Sequence, residues 1–513
     1  MKENRSGKRL YLFLLCGVFV LSFGINVAMA KKPYKQKKVA LDWLSQAEVV
    51  ERFGKISDAI WSYAELGMQE FKSSALLANT LEEAGFTVAR EQAGMPTCFV
   101  ATYGSGKPVI GILGEFDALP MISQKAWATE HNPVVEGGPG HGCGHNMMCT
   151  AAAAAAISVK EAMDMYNIPG TIKVFGSPAE ETLISRPYMV RAGLFDGVDA
   201  IIDNHSSSGF STSYGVGGNA MFSTVFTFKG KTAHSAGSPW KARSALDAVE
   251  LMNVATNYLR EHLFYTHRLH YVIPEGGEAP NVVPDKASVW YYVRNSDDRV
   301  EEMHERVINC ARAAALATGT ELAKIRVLTA IHQRHANKAL AEILYENIQM
   351  VGMPEWSEEE QAFAKRMQKA MGEEEKGFPA TVDTLKDPTG RTFVGGGSSD
   401  VGEVTLIAPT ASVRFPGIVP GVTAHHWSEV ASTHGTAAWK GLNAGAKVMA
   451  ATAIDLLVKP KLLKKAQVEF EEHIEKHPYV PFLPEDAEPP VDLNRELMAK
   501  FRPLLEKYHE DVK

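Results

Sequence analysis

A mainly parallel α/β sheet, interrupted by an inserted α+β unit, is the fold that this 513-residue sequence predicts. Three observations predict it. Short apolar runs at residues 109–113, 172–175 and 200–202 each end in a polar loop, and a helix-forming stretch lies between the first two. Strands alternating with helices build parallel sheets. Near residue 218 the pattern changes to strand, helix, strand, strand, helix, strand, a compact βαββαβ unit of its own. Close to residue 333 the α/β material resumes, so one domain is inserted into another.

The elements follow in order. Residues 1–30 carry a basic stub (Lys2, Arg5, Lys8, Arg9), an apolar run of about 14 residues from Leu10 to Phe23, and small residues at Ala28 and Ala30. That is the layout of a cleavable secretory signal, and the run falls short of the roughly 20 residues a spanning helix needs. No later segment reads as long and apolar enough to cross a membrane. The chain is therefore expected to be exported, periplasmic or secreted, with no membrane contact after signal removal. The outer domain takes residues 31–217 and 332–460, the inserted domain 218–331, and a C-terminal extension 461–513.

Residues 39–90 read as helical, with amphipathic stretches at 56–66 and 73–84 before Gly85 breaks the pattern. Cys149, Thr150 and six alanines, continuing to Met163, form a helix because alanine is the strongest helix former. In the inserted unit, strands are expected at 222–228, 270–273, 287–294 and 324–328, and helices at 244–258 and 299–318. The charge-rich stretch 353–385 reads as an exposed helical insertion. A Gly/Ser loop follows at 395–399, then one long helix over 427–457. The tail from 459 to 513, with its prolines and charges, reads as peripheral.

The chain has 53 basic and 60 acidic residues, a net charge of −7. Loss of the basic signal makes the balance more acidic. This excludes a nucleic-acid partner, which needs a basic face. With 45% hydrophobic and 22% charged residues the chain is globular. Of five cysteines, Cys16 leaves with the signal. Cys98, Cys143, Cys149 and Cys310 form no recognisable disulfide framework.

The chemistry sits at the ends of the apolar runs. The first leads into Glu115 and Asp117, the second into Glu180 and Glu181, the third into Asp203, Asn204 and His205. The carboxyl edge of an α/β sheet is where ligands bind. His141, Cys143 and His145, spaced by glycines, immediately precede the alanine helix. Thiolate, imidazole and carboxylate form the ligand set of zinc and its neighbours. Adjacent carboxylates at 180 and 181 diverge in a loop, so one can hold a metal while the other takes a proton from water. His425 and His426 precede the last helix and offer a distant ligand. His234 lies in the inserted domain and is placed to act on the substrate side.

These motifs together resemble the aminoacylase/carboxypeptidase-G metallopeptidase family, in its amidohydrolase branch, over roughly residues 40–460. The residues that carry the likeness are 114–120, 140–146, 178–181, 276–285, 397–404 and 425–427. The resemblance implies a hydrolase with two divalent metal ions per subunit, zinc or manganese. The inserted domain would be a lid that also dimerises. The implied ligands are Cys143, His145, Glu181, His205 and His425, with His426 as the rival of His425. The general base would be Glu180, and Asp117 would orient the metal shell. Glu115 stands where the family's usual pattern has a histidine. From the lid, His234 would stabilise the oxyanion, and Asn281 and Arg294 would meet the substrate or its carboxylate.

The expected reaction is hydrolysis of the amide in N-acyl amino acids, aminobenzoyl-glutamate-like conjugates or dipeptides, by a water activated at the metals. A homodimer is expected, with a second, different hydrolase chain as a candidate partner. Two rival readings are a hydrolase using Cys143 as nucleophile and a non-catalytic exported peptide-binding protein.

Overall fold

The computed structural model describes residues 33–385 and 396–512. The signal at residues 1–30 and Gly395 of the Gly/Ser loop lie outside the described residues. The first strands are β1 (Thr87–Arg90), β2 (Phe99–Ser105), β3 (Val109–Glu115), β4 (Gly170–Ser177), β5 (Ala200–Ser206) and β6 (Ser211–Thr212). Next come β7 (Gly215–Gly217), β8 (Ala220–Lys229), β9 (Arg268–Glu275), β10 (Lys286–Asn295), β11 (Glu321–Ile331), β12 (Arg334–Ala336) and β13 (Thr410–Phe415).

Seven strands form the larger sheet in the order β1-β2-β4-β3-β5-β13-β6. The central four, β4, β3, β5 and β13, run parallel, and the outer pairings are antiparallel. Central parallel strands are buried on both faces, which is why 109–113 and 200–202 read as unbroken apolar runs. Two long helices, His145–Tyr166 and Thr436–Val458, belong to the main core. The six alanines allow the first to press onto β3. A Cβ added at Gly114 would stand 2.5 Å from the Cys149 sulfur, so any side chain there would push helix and strand apart.

The second sheet is antiparallel, in the order β11-β8-β10-β9. Helices Ala245–Leu259 and Asp297–Thr318 pack on it around Phe226, Val249, Met252, Tyr291, Val300 and Val307. This is the βαββαβ order that the sequence predicts. Strands β7 and β12 pair where the chain leaves and re-enters the α/β part.

Several expectations need correction. The stretch 39–90 holds three helices, Lys35–Leu44, Ala47–Tyr63 and Phe71–Glu83, and then the edge strand β1. The helix expected over 427–457 is broken into Trp427–Val430 and Thr436–Val458, because Gly435 adopts a φ of +82° and its N–H donates to Asp58. Thr436–Val458 is long and apolar enough to span a membrane, contrary to expectation, but 89% of its most apolar window is buried in the protein. The helix Glu358–Ala370 is no exposed insertion: Phe363, Ala364 and Met367 pack with Phe378 and Val419. Nor is the tail peripheral. Met498, Phe501 and Leu505 pack against Ala64, Leu66 and Ala118.

Candidate active site

The sheet delivers its polar residues to one edge. Glu115 ends β3, opposite Ser177 at the end of β4. Just beyond β4, Glu180 and Glu181 sit on a tight turn, Glu180–Thr182, between Ala179 and Leu183, both left-handed (φ +55° and +61°). His205 lies near the end of β5, and Gly144, with φ +73°, turns the chain from Cys143 into the alanine helix at His145.

His145 is the hub. It is fully buried, and its Nδ1 lies 2.9 Å from Asp117 Oδ1. The other Asp117 oxygen accepts from the Glu181 backbone N–H at 2.9 Å. A carboxylate on Nδ1 fixes the ring so that Nε2 faces inward, the arrangement of metal-ligating histidines. Nε2 then lies 3.4 Å from Glu115 and 3.8 Å from both Glu180 and Glu181. His205 is oriented similarly: its Nδ1 reaches the Ser206 carbonyl at 2.7 Å, and its Nε2 stands 3.5 Å from Cys143 Sγ. His425, with φ +56°, brings Nε2 to 3.5 Å from Glu181. His426 points elsewhere and caps Trp427–Val430, its Nδ1 accepting from Ser428 N–H at 3.4 Å. His141 hydrogen-bonds the Ile60 carbonyl, and burial holds its pKa down near 3.

Ligand atoms of Cys143, His145 and His205 lie within 4.8 Å of one another, as do those of Cys143, Glu181 and His425. Glu115, His145 and Glu180 form a third such group. The donor set fits divalent cations in two further ways. His145 Nε2, Glu181 Oε1 and Glu115 Oε2 are buried without hydrogen-bond partners among the described residues. Acid groups also crowd together without enough positive charge. Burial raises Glu181 to about 8 against the pull of His145, and Glu115 to about 7 despite Arg186. Burial and Glu115 push Glu180 well above the usual range. Burial opposes a charged His145, yet Cys143, Glu181 and Asp117 outweigh it and hold its pKa well above normal. Cations would take the place of these protons.

Three supporting groups carry no local sequence signal. Arg186 is fully buried; its guanidinium contacts Asp400 and lies 2.7 Å from Glu115. Glu70 is also fully buried and accepts from Ala179 N–H at 2.8 Å, holding the turn that carries Glu180. Tyr292 on β10 lies under the Arg294 guanidinium, and both are within electrostatic reach of Glu180. Of the lid residues expected at the substrate, Arg294 thus faces this site. His234 and Asn281 do not join the cluster within the chain. Both are exposed, His234 Nδ1 accepting from Ala236 and Gly237 N–H at 3.1 and 3.0 Å.

The family model described as Peptidase family M20/M25/M40 matches residues 111–455. The chain is 36% identical over 463 residues to a p-aminobenzoyl-glutamate hydrolase component of Escherichia coli (strain K12), covering 86% of this chain and 96% of that protein. It is 28% identical over 440 residues to the Xaa-Arg dipeptidase of Mus musculus, covering 82% and 90%. Among solved structures, a putative aminohydrolase from methicillin-resistant Staphylococcus aureus superposes with a TM-score of 0.57 at 17% identity, over 82% of this chain and all of that one. The fold, the strand-end cluster and these likenesses agree: the chain belongs to peptidase family M20/M25/M40 and is a metal-dependent hydrolase of amide bonds.

Proposed function

We propose that the substrate is an N-acyl amino acid, an aminobenzoyl-glutamate-like conjugate or a dipeptide. The observation that carries this reading is the convergence of Cys143, His145, Glu181, His205 and His425 on one strand edge, with Glu180 beside them. The named activities of the bacterial and mouse relatives support the substrate class. Cys143 is common to two ligand groups, with His145 and His205 and with Glu181 and His425, and together these residues would hold divalent cations such as zinc or manganese. Bound there, divalent cations lower the pKa of water and polarise an amide carbonyl.

The chain's own residues do the rest. Glu180 takes a proton from the attacking water and returns it to the leaving amine. Asp117 fixes the tautomer of His145, and Glu70 holds the Glu180 turn. Arg294 pairs with the substrate's α-carboxylate. The exposed His234 and Asn281 serve the site of a second copy in a homodimer, where His234 donates to the oxyanion. The Escherichia coli relative is named as one component of a larger hydrolase, which supports a search for a second, different partner chain.

A thiol-nucleophile route is disfavoured. Burial and Glu181 push the Cys143 thiol up, and burial with Arg414 holds His205 well below its usual value, which works against a thiolate–imidazolium pair between these two. The test is a panel of N-acyl and aminobenzoyl amino acids on protein reconstituted with zinc or manganese. Turnover of at least one class supports the reading. No turnover with metal content verified overturns it and leaves the peptide-binding alternative. Export is a separate proposal resting on residues 1–30: the native protein should begin at Lys31, and an intact Met1 on soluble cytoplasmic protein would reject it.

A further inference from the structure

Three histidines that the catalytic cluster does not use meet where the C-terminal extension crosses the base of the lid. His335 lies on β12, where the chain returns from the lid to the α/β part. His473 is on the helix Pro460–Lys476, and His477 caps that helix, its N–H donating to the His473 carbonyl at 2.9 Å. The ring centres of His335 and His473 are 4.9 Å apart, as are those of His473 and His477. His335 and His477 stand 6.4 Å apart.

Two ring nitrogens of this group are orphaned. His335 Nδ1 and His473 Nε2 are buried without a hydrogen-bond partner among the described residues, so neither ring satisfies the other. The second His335 nitrogen is committed: Nε2–H donates to the Asp297 carboxylate at 2.8 Å. Asp297 is held in turn, accepting from the Gln333 N–H at 2.8 Å. A carboxylate on one imidazole nitrogen leaves the other with its lone pair available, which is how metal-ligating histidines are supported. His473 is prepared as well. Burial, followed by the neighbouring His335, His477 and Lys476, holds its pKa down near 4, so its ring is neutral. The spacing also fits. Zinc–nitrogen bonds of about 2.0–2.1 Å at tetrahedral angles put ring centres about 5 Å apart. The His477 ring is exposed at the helix end, and rotation about its side-chain bonds closes the third distance.

We infer that His335, His473 and His477 bind a divalent transition cation of the zinc class, separate from the catalytic ions, with Asp297 as the orienting carboxylate. Imidazole ligands select zinc, copper or nickel over the oxygen-preferring magnesium and calcium. Asp297 opens the lid helix Asp297–Thr318, His335 belongs to the strand at the lid's return, and the other two histidines belong to the extension. The cation therefore ties the C-terminal extension to the base of the lid, and its role is structural.

The experiment dialyses the whole protein to equilibrium against zinc and measures bound metal by elemental analysis. Wild type should hold one zinc per chain more than the double variant His473→Gln, His477→Gln. Equal metal content overturns the proposal. Cobalt in place of zinc shows which ion is missing. The catalytic cluster contains Cys143 and gives a thiolate-to-cobalt charge-transfer band, whereas an all-imidazole site gives none. The band should be equal in the two proteins; a band that disappears with the missing ion assigns the loss to the catalytic cluster and overturns the proposal. Should the double variant fail to fold, His477→Gln at its exposed position serves alone. Affinity for the extra zinc weakened at least about tenfold supports the site, and unchanged affinity rejects it. Asp297→Asn tests the orienting carboxylate. The amide keeps an oxygen for the Gln333 N–H, but its own N–H donates to His335 Nε2 and moves the ring proton to Nδ1. The extra zinc should then bind about 10–100-fold more weakly. Unaltered affinity would remove His335 from the site and overturn the proposal. None of these readings needs amide turnover, so they stand or fall apart from the substrate assignment.

Discussion

The two sheets of this molecule treat their polar residues in opposite ways. In the core of the antiparallel lid, buried polar groups find partners: His304 meets Thr224 at 2.8 Å and stacks on Phe222, and the Tyr291 hydroxyl meets Thr256 at 2.9 Å, whereas Arg294 Nε, toward the catalytic edge, is buried without one. Two of its chemically useful residues, His234 and Asn281, stand exposed on loops. At the carboxyl edge of the seven-stranded sheet, by contrast, Glu115, His145 and Glu181 each bury an unpaired ligand atom. An unsatisfied buried polar group costs roughly 1–3 kcal/mol. The lid core thus satisfies its own polar groups, whereas the catalytic edge keeps ligand atoms that cations would satisfy.

Metal removal is the strongest way to sharpen that contrast. Dialysis against a chelator should lower amide hydrolysis by at least about 10³-fold, and zinc or manganese should restore it and raise the melting temperature. Full activity in protein shown by elemental analysis to be metal-free would break the comparison. Next, Glu180→Gln should keep its metal and lose about 10²–10⁴ in kcat, the usual worth of a general base, while Glu181→Gln loses metal. Equal metal loss in both variants would show that the two roles are misassigned.

Arg186→Gln should destabilise the protein by about 3–5 kcal/mol in denaturant titration, because it leaves Asp400 buried and unpaired. A loss below about 1 kcal/mol would mean that water reaches Asp400. His234→Ala should cost about 10² in kcat. Mixed with Glu180→Gln after mild dissociation, it should recover up to about half of the activity per mixed dimer, since one site then has both groups. No recovery, with mixed dimers verified by native mass spectrometry, would place His234 in its own chain's site.

The smallest expected effect is a pair of opposed pH responses. Burial lowers His304 from 6.5 to about 4, so between those values the unfolded chain binds a proton that the folded chain refuses. Stability from this lid residue falls as pH falls through that window. Burial raises Asp58, beside the catalytic core, from 3.8 to about 6, so there the folded chain binds the proton first and stability rises as pH falls. Melting curves from pH 7 to 4 should therefore lose one component in His304→Gln and the opposite one in Asp58→Asn.

The parts legible in the sequence are those written locally. Apolar runs ending in Glu115, Glu180 and His205 announce buried parallel strands and their carboxyl edge, and the alternation after residue 218 announces the lid. The edge strand β1 and its neighbour β2 escape such a reading because half-exposed strands beside strong helices lack a clear period. Arg186 escapes it for another reason. Its partners stand 71 and 214 residues away, and a single arginine in the short helix Ser185–Arg191 has no pattern of its own. Gly435 breaks a helix through a contact with Asp58, 377 residues earlier, against the pull of an alanine-rich stretch.

The pairing of Arg186 with Asp400 also sets an order of assembly as the chain emerges. Arg186 emerges with Glu115 already made, but its other counter-ion is synthesised only after the whole lid. Until then the nascent α/β half carries a cation that cannot be buried at low cost and lacks both β13 and His425. The lid, contiguous in sequence, is free to fold as soon as β11 is released. The last-made third of the chain therefore closes the first, and metal capture belongs to the finished polypeptide.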